Sequence, residues 1–199
     1  MHELTENLPE GVYDDDIVLF LKDTAFDKHF LAKPRPLLDV IRIASIRGFA
    51  CFSPPYQDQS LFHETETLLR FKMDAGYSRL DRDSEDNFHS KYEDLENWSN
   101  DMGFSFTGPL TPVCYQGNFA ATVDQIVKRG KIWKNIERSL SRGDNIEEGH
   151  FAERSWAELL SAPFSKAEIG VLFDGADEIL NSEEDKEKGF WGALSGCSS

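Results

Sequence analysis

The sequence predicts an α/β fold, a mixed sheet with flanking helices and a mainly helical carboxy-terminal half. Three observations predict it. Ile17-Val18-Leu19-Phe20-Leu21 is continuously apolar and rich in β-formers, the pattern of a strand buried on both faces. Pro36 is followed by Leu37, Leu38, Val40, Ile41, Ala44 and Ile46 at helical spacing. Gly48 is placed to stop that helix ahead of a strand-like run from Phe49 to Phe52. From Thr122 onward, helical spacing dominates. Strand, helix and strand in succession argue α/β.

Each element has its own signal. Tyr13-Asp14-Asp15-Asp16 reads as a turn ahead of the first strand, which its unbroken apolarity marks as an inner strand. Pro54-Pro55 breaks the chain into a loop. Leu61, Thr65, Leu68, Leu69 and Lys72 trace an amphipathic helix ending near Gly76, and Asp81 to Asn87 is a charged, exposed loop. Ser90 and Glu93 form a capping-box pattern for a short helix through Tyr92, Leu95, Trp98 and Met102. Phe104 to Leu110 and Pro112 to Ala121 read as strands around turn residues. Thr122 and Gln125 make a second capping box, leading a short helix that Gly130 ends. Ile132, Trp133, Ile136 and Leu140 continue as helix to about Gly143. Phe151, Ser155, Trp156, Leu159 and Leu160 set the apolar stripe of the next helix, which Pro163 closes. Residues 1–173 are expected to form a single α/β domain, and the acid-rich residues 174–199 a disordered tail.

Composition removes several function classes. A net charge of -15 across 199 residues repels nucleic-acid backbones and anionic membranes, and the basic residues are scattered rather than gathered into a patch. No apolar run approaches the ~20 residues that cross a bilayer. The start Met1-His2-Glu3-Leu4-Thr5-Glu6 lacks the basic and apolar segments of a secretory signal, so a soluble, cytoplasmic chain is the default expectation. Cys51, Cys114 and Cys197 lie far apart without a C-x-x-C pair. They read as reduced thiols rather than a disulfide framework or a zinc site. A Gly-rich phosphate loop, G-x-S-x-G and H-E-x-x-H are all missing.

The densest chemistry lies in Glu147-Glu148-Gly149-His150-Phe151-Ala152-Glu153-Arg154-Ser155-Trp156. On a helix, His150, Glu153 and Arg154 share one face beside the apolar stripe. Glu153 then serves as a base or sugar-hydroxyl acceptor, Arg154 as a phosphate or carboxylate clamp, and Trp156 as part of a wall. The competing reading makes Glu153 and Arg154 a structural ion pair, Trp156 core and His150 a packing residue. Asp23 and Asp27 follow the first strand, where ligands of open α/β sheets collect. Two carboxylates there would hold magnesium or manganese against a diphosphate. His29 lies close to them in sequence and reads more simply as a loop histidine.

Three segments together resemble a poorly characterised, largely fungal family that looks like a branch of the glycosyltransferase-A-like proteins. They are Asp16 to His29, Val113 to Thr122 and, as the strongest match, Gly149-His150-Phe151-Ala152-Glu153-Arg154-Ser155-Trp156, similar to the family's Glu-Arg-x-Trp helix. The resemblance covers roughly residues 8 to 162. It implies a glycosyltransferase-A-like core, a nucleotide-sugar donor and a sugar or protein acceptor. It also implies a divalent cation, manganese or magnesium, with Asp23 and Asp27 beside the donor diphosphate. Glu153 becomes the catalytic residue, and Tyr115, Asn118, His150, Arg154 and Trp156 become binding residues. The family places a further strand-helix segment ahead of the first match. Here about twenty residues precede it, too few for a βαβ unit, so the expectation is either an amino-terminally shortened form or a scaffold that has lost donor binding. The rival expectation is a non-catalytic remnant or protein-interaction module.

Overall fold

The structure is a computed structural model describing residues 11, 13–21, 36–52, 62–73, 90–141 and 146–170. In chain order its elements are β1 (Ile17–Phe20), α1 (Leu37–Arg47), β2 (Phe49–Cys51), β3 (Phe62–Glu64), α2 (Thr65–Leu69) and α3 (Leu95–Met102). They continue with β4 (Leu110–Pro112), a 3-10 turn (Tyr115–Gly117), β5 (Phe119–Thr122), α4 (Val123–Val127), α5 (Gly130–Leu140) and α6 (Ile146–Leu160). The chain divides into two compact units, Met1–Ala162 and Pro163–Ser199. All elements named above belong to the first. In the second, residues 166–170 are helical. Glu168 accepts from the Ser165 backbone N–H at 2.7 Å, and Ser165 Oγ accepts from the Glu168 N–H at 3.3 Å, a capping box.

Phe119-Ala120-Ala121-Thr122 organises the main sheet because all four residues are buried. β5 lies between β1 and β2 and pairs antiparallel with both. Alternation then separates two apolar faces. Ala120 and Ala50 face Val40 and Ala44 of α1, the small side chains letting helix and sheet approach closely. Phe119, Ala121, Phe49 and Cys51 face the larger core built from α3, α5 and α6. Gly48 makes the tight passage from α1 into β2. Its φ of 78° is left-handed, and a Cβ there would meet Gln125 Cγ at 2.6 Å.

This topology corrects two expectations. The sheet is not mixed, since every strand pairing among the described residues is antiparallel. Ile17–Phe20 is not an inner strand buried on both faces. It pairs with β5, and Leu19 is 37% exposed. Continuous apolarity misled because one face of β1 packs on the core through Val18 and Phe20, while the other lies only partly covered beside α1.

Local capping departs from the sequence patterns as well. α3 begins at Leu95, where Asp94 accepts from the Asn97 N–H at 2.9 Å. Ser90 is occupied elsewhere, so the Ser90–Glu93 box does not form. Thr122 sits at the N-cap of α4 without a side-chain cap bond. The first N–H groups of α4 go instead to carbonyls of the Asp14–Asp16 turn, Val123 to Asp16 at 2.9 Å and Asp124 to Asp14 at 3.0 Å. The helix expected from Leu61 to Lys72 is shorter, because residues 62–64 pair with β4 as a strand. The expected strand from Phe104 reduces to Leu110–Pro112. The loops at Pro54-Pro55 and Asp81 to Asn87, and the tail 174–199, lie outside the described residues.

α6 is the element against which much of the core closes. Phe151 is fully buried and meets Trp98 at 5.9 Å and Phe71 edge-on at 6.1 Å between ring centres. Truncating such a ring costs about 3–5 kcal/mol. The end of α6 is held to α1 reciprocally, with Arg47 donating to the Ala162 carbonyl at 2.8 Å and the Ala162 N–H donating to the Arg47 carbonyl at 2.9 Å.

Candidate functional site

Helical spacing brings His150, Glu153 and Arg154 together on one face of α6. Glu153 Oε2 lies 3.4 Å from His150 Nδ1 and 3.6 Å from an Arg154 guanidinium nitrogen. Their side chains remain 26%, 18% and 13% exposed for His150, Glu153 and Arg154, enough for solvent to reach the group. Arg154 also donates to the His150 carbonyl at 3.2 Å.

Opposite this face stands the 3-10 turn. Gly117, with φ of 68°, lets the chain reverse there without a side-chain penalty. Tyr115 projects toward α6, with the Arg154 guanidinium 5.5 Å from its ring centre and 3.6 Å from that of Phe71. These are cation–π contacts, each worth about 0.5–2 kcal/mol according to desolvation. Tyr115 Oη and His63 Nε2 are 2.9 Å apart, so β3 closes a third side. Burial raises the Tyr115 pKa above its ordinary 10.0, with Arg154 opposing and Glu153 reinforcing the shift. The phenol therefore stays protonated at neutral pH and can donate as well as accept.

Tyr115, His150, Glu153 and Arg154 thus come together, with His63 and Phe71 added. No spacing in the sequence marks the last two, which arrive through strand pairing and chain reversal. Trp156 points away from this face, its ring 5.8 Å from Phe119 and 6.2 Å from Trp133. Asn118 is buried behind the turn, where its carbonyl accepts from the Phe52 N–H at 2.9 Å and from the Cys114 thiol at 3.2 Å. Asp23, Asp27 and His29 lie outside the described residues. Among the described residues, no group of three or more His, Cys, Asp or Glu side chains is arranged to hold a metal. Comparison with protein-family models, curated proteins and solved structures gave no match.

A second acidic cluster escaped the sequence reading. Glu147 and Glu148, in the first turn of α6, are fully buried. Glu147 accepts from the Met73 N–H at 3.1 Å and the Ser90 N–H at 2.7 Å. Glu148 accepts from Ser90 Oγ at 2.9 Å and from Ser139 Oγ, which in turn accepts from Trp98 Nε1 at 2.9 Å. Burying such polar atoms is tolerable only when they are bonded in this way. The cluster joins the start of α6 to Met73, Ser90 and Ser139 and is architecture. The sequence does not mark this role, because the partners of Glu147 and Glu148 lie far away along the chain.

Proposed function

We propose that this chain is a glycosyltransferase-like domain that binds a nucleotide sugar and transfers its sugar to a hydroxyl of a sugar or protein acceptor. A glycosyltransferase-A-like core is part of the proposal and rests on the resemblance of the three segments. The observation that carries the reading is the half-open carboxyl of Glu153, flanked by His150 and Arg154 and faced by the Tyr115–His63 pair.

In this reading Glu153 takes the proton of the acceptor hydroxyl, whose oxygen bonds to the anomeric carbon as the bond to the nucleoside diphosphate breaks. His150 and Arg154 keep the carboxyl oriented, and the protonated Tyr115 donates a hydrogen bond to a ligand oxygen. Manganese or magnesium would be held by Asp23 and Asp27, whose hard oxygen donors suit these ions. Such an ion would supply positive charge beside the departing diphosphate.

One observation favours a second reading, a non-catalytic interaction module. Arg154 sits over the Phe71 ring, 3.6 Å from its centre, and donates to a carbonyl of its own helix, as a brace would. The two readings separate in thermal-shift measurements with a panel of nucleotide sugars, with and without manganese. Donor binding predicts metal-dependent stabilisation, and no shift across the panel sinks it. With transfer in hand, Glu153→Gln should abolish product formation while moving Tm by no more than about 2 °C.

A further inference from the structure

Cys51 and Cys114 are both buried free thiols in the same core cluster. Cys51 ends β2, where it pairs with Phe119 of β5, and Cys114 immediately precedes the 3-10 turn that carries Tyr115. The Asn118 carbonyl accepts from both the Phe52 N–H and the Cys114 thiol, so one oxygen ties the Cys114 sulfur to the residue following Cys51. Both side chains lie on the core side of the sheet, in the same cluster as Phe119.

We propose that Cys51 and Cys114 form a reversible disulfide, which fastens the Tyr115 turn to β2 and makes the candidate site redox-sensitive. The oxidant is a low-molecular-weight disulfide. One cysteine thiolate attacks an oxidant sulfur, breaking its S–S bond and releasing one thiol. The other cysteine thiolate then attacks the mixed disulfide, forming the Cys51–Cys114 bond and releasing the second thiol. The protein loses two protons and two electrons, and both end on the released thiols. Burial, followed by the neighbouring Cys51 thiol, pushes the Cys114 pKa well above its ordinary range. Exchange is accordingly slow at neutral pH and accelerates as pH rises. The proposal does not depend on sugar transfer.

The test equilibrates the full chain carrying Cys197→Ser with oxidised glutathione at about pH 8, where thiol exchange proceeds, and then alkylates it under denaturing conditions. The expected result is an intact mass lower by about 2 Da, reflecting the two lost hydrogens. A peptide pair joining Cys51 to Cys114 should accompany it, and both signals should reverse with dithiothreitol. Closing so long a loop should raise Tm on the order of 10 °C. Cys51→Ala and Cys114→Ala should each remove the cross-link and the oxidant-dependent Tm shift. Two fully alkylated thiols after this exposure, in a preparation whose urea-unfolded control oxidises, overturn the proposal. So do glutathione adducts on Cys51 or Cys114 without the cross-link.

Discussion

The first turn and the middle of one helix put glutamates to different use. In the first turn of α6, Glu147 is fully buried and both its oxygens accept backbone N–H groups, at 3.1 and 2.7 Å, from segments distant in the chain. Two turns on, Glu153 keeps 18% of its side chain exposed, with the His150 and Arg154 side chains at 3.4 and 3.6 Å. Backbone donors cannot move aside, so the Glu147 carboxyl is committed to holding the chain. The His150 and Arg154 side chains beside Glu153 can rotate to make way for a ligand. What separates an architectural acid from a candidate functional one is thus the mobility of its partners and its access to water, not its residue type.

The largest effect should come from breaking the architectural end. Glu147→Ala strands the Met73 and Ser90 N–H groups and leaves a void, and should cost roughly 3 kcal/mol. In a thermal melt that is a fall in Tm of about 10 °C. A smaller loss is expected at the middle of the helix. Arg154→Lys keeps the charge but gives up the guanidinium contacts with the Phe71 and Tyr115 rings, and urea titration should read a cost of about 1 kcal/mol.

The Tyr115 phenol sharpens the contrast through pH. Its folded pKa is raised above 10.0, so the stability it contributes is present in full below pH 10 and is lost as pH rises through the raised value. Tyr115→Phe should flatten the fall in the urea midpoint between about pH 9 and 11. It should also cost about 1 kcal/mol at pH 7 through the lost bond to His63. Tyr92, also raised by burial and by its bond to Asp101, should leave part of the alkaline loss in place.

Local pattern was readable where the chain folds on its neighbours. The helix after Pro36, its stop at Gly48, the following strand and the stripe of α6 all stand where spacing puts them. So does the shared face of His150, Glu153 and Arg154, because three- and four-residue spacing is a property of the helix itself. What escaped depends on distant partners. Apolarity alone does not say which strand is central, and β5 takes that place through two alanines that admit packing on both faces. His63 and Phe71 reach the site through the β3–β4 pairing and the turn after α2. Ser90 was read as a cap because Glu93 follows it, yet its N–H and hydroxyl serve Glu147 and Glu148.

The most direct test is urea denaturation of Glu147→Gln and Glu153→Gln side by side. Each substitution keeps the size of the side chain and turns one acceptor oxygen into a donor. At position 147 the new amide faces a fixed N–H group, and a loss of about 2 kcal/mol is predicted. At position 153 the neighbours can adjust, and the change should stay within about 0.5 kcal/mol. Equal losses, or a larger loss for Glu153→Gln, would contradict the division of α6 into a structural first turn and a ligand-facing middle.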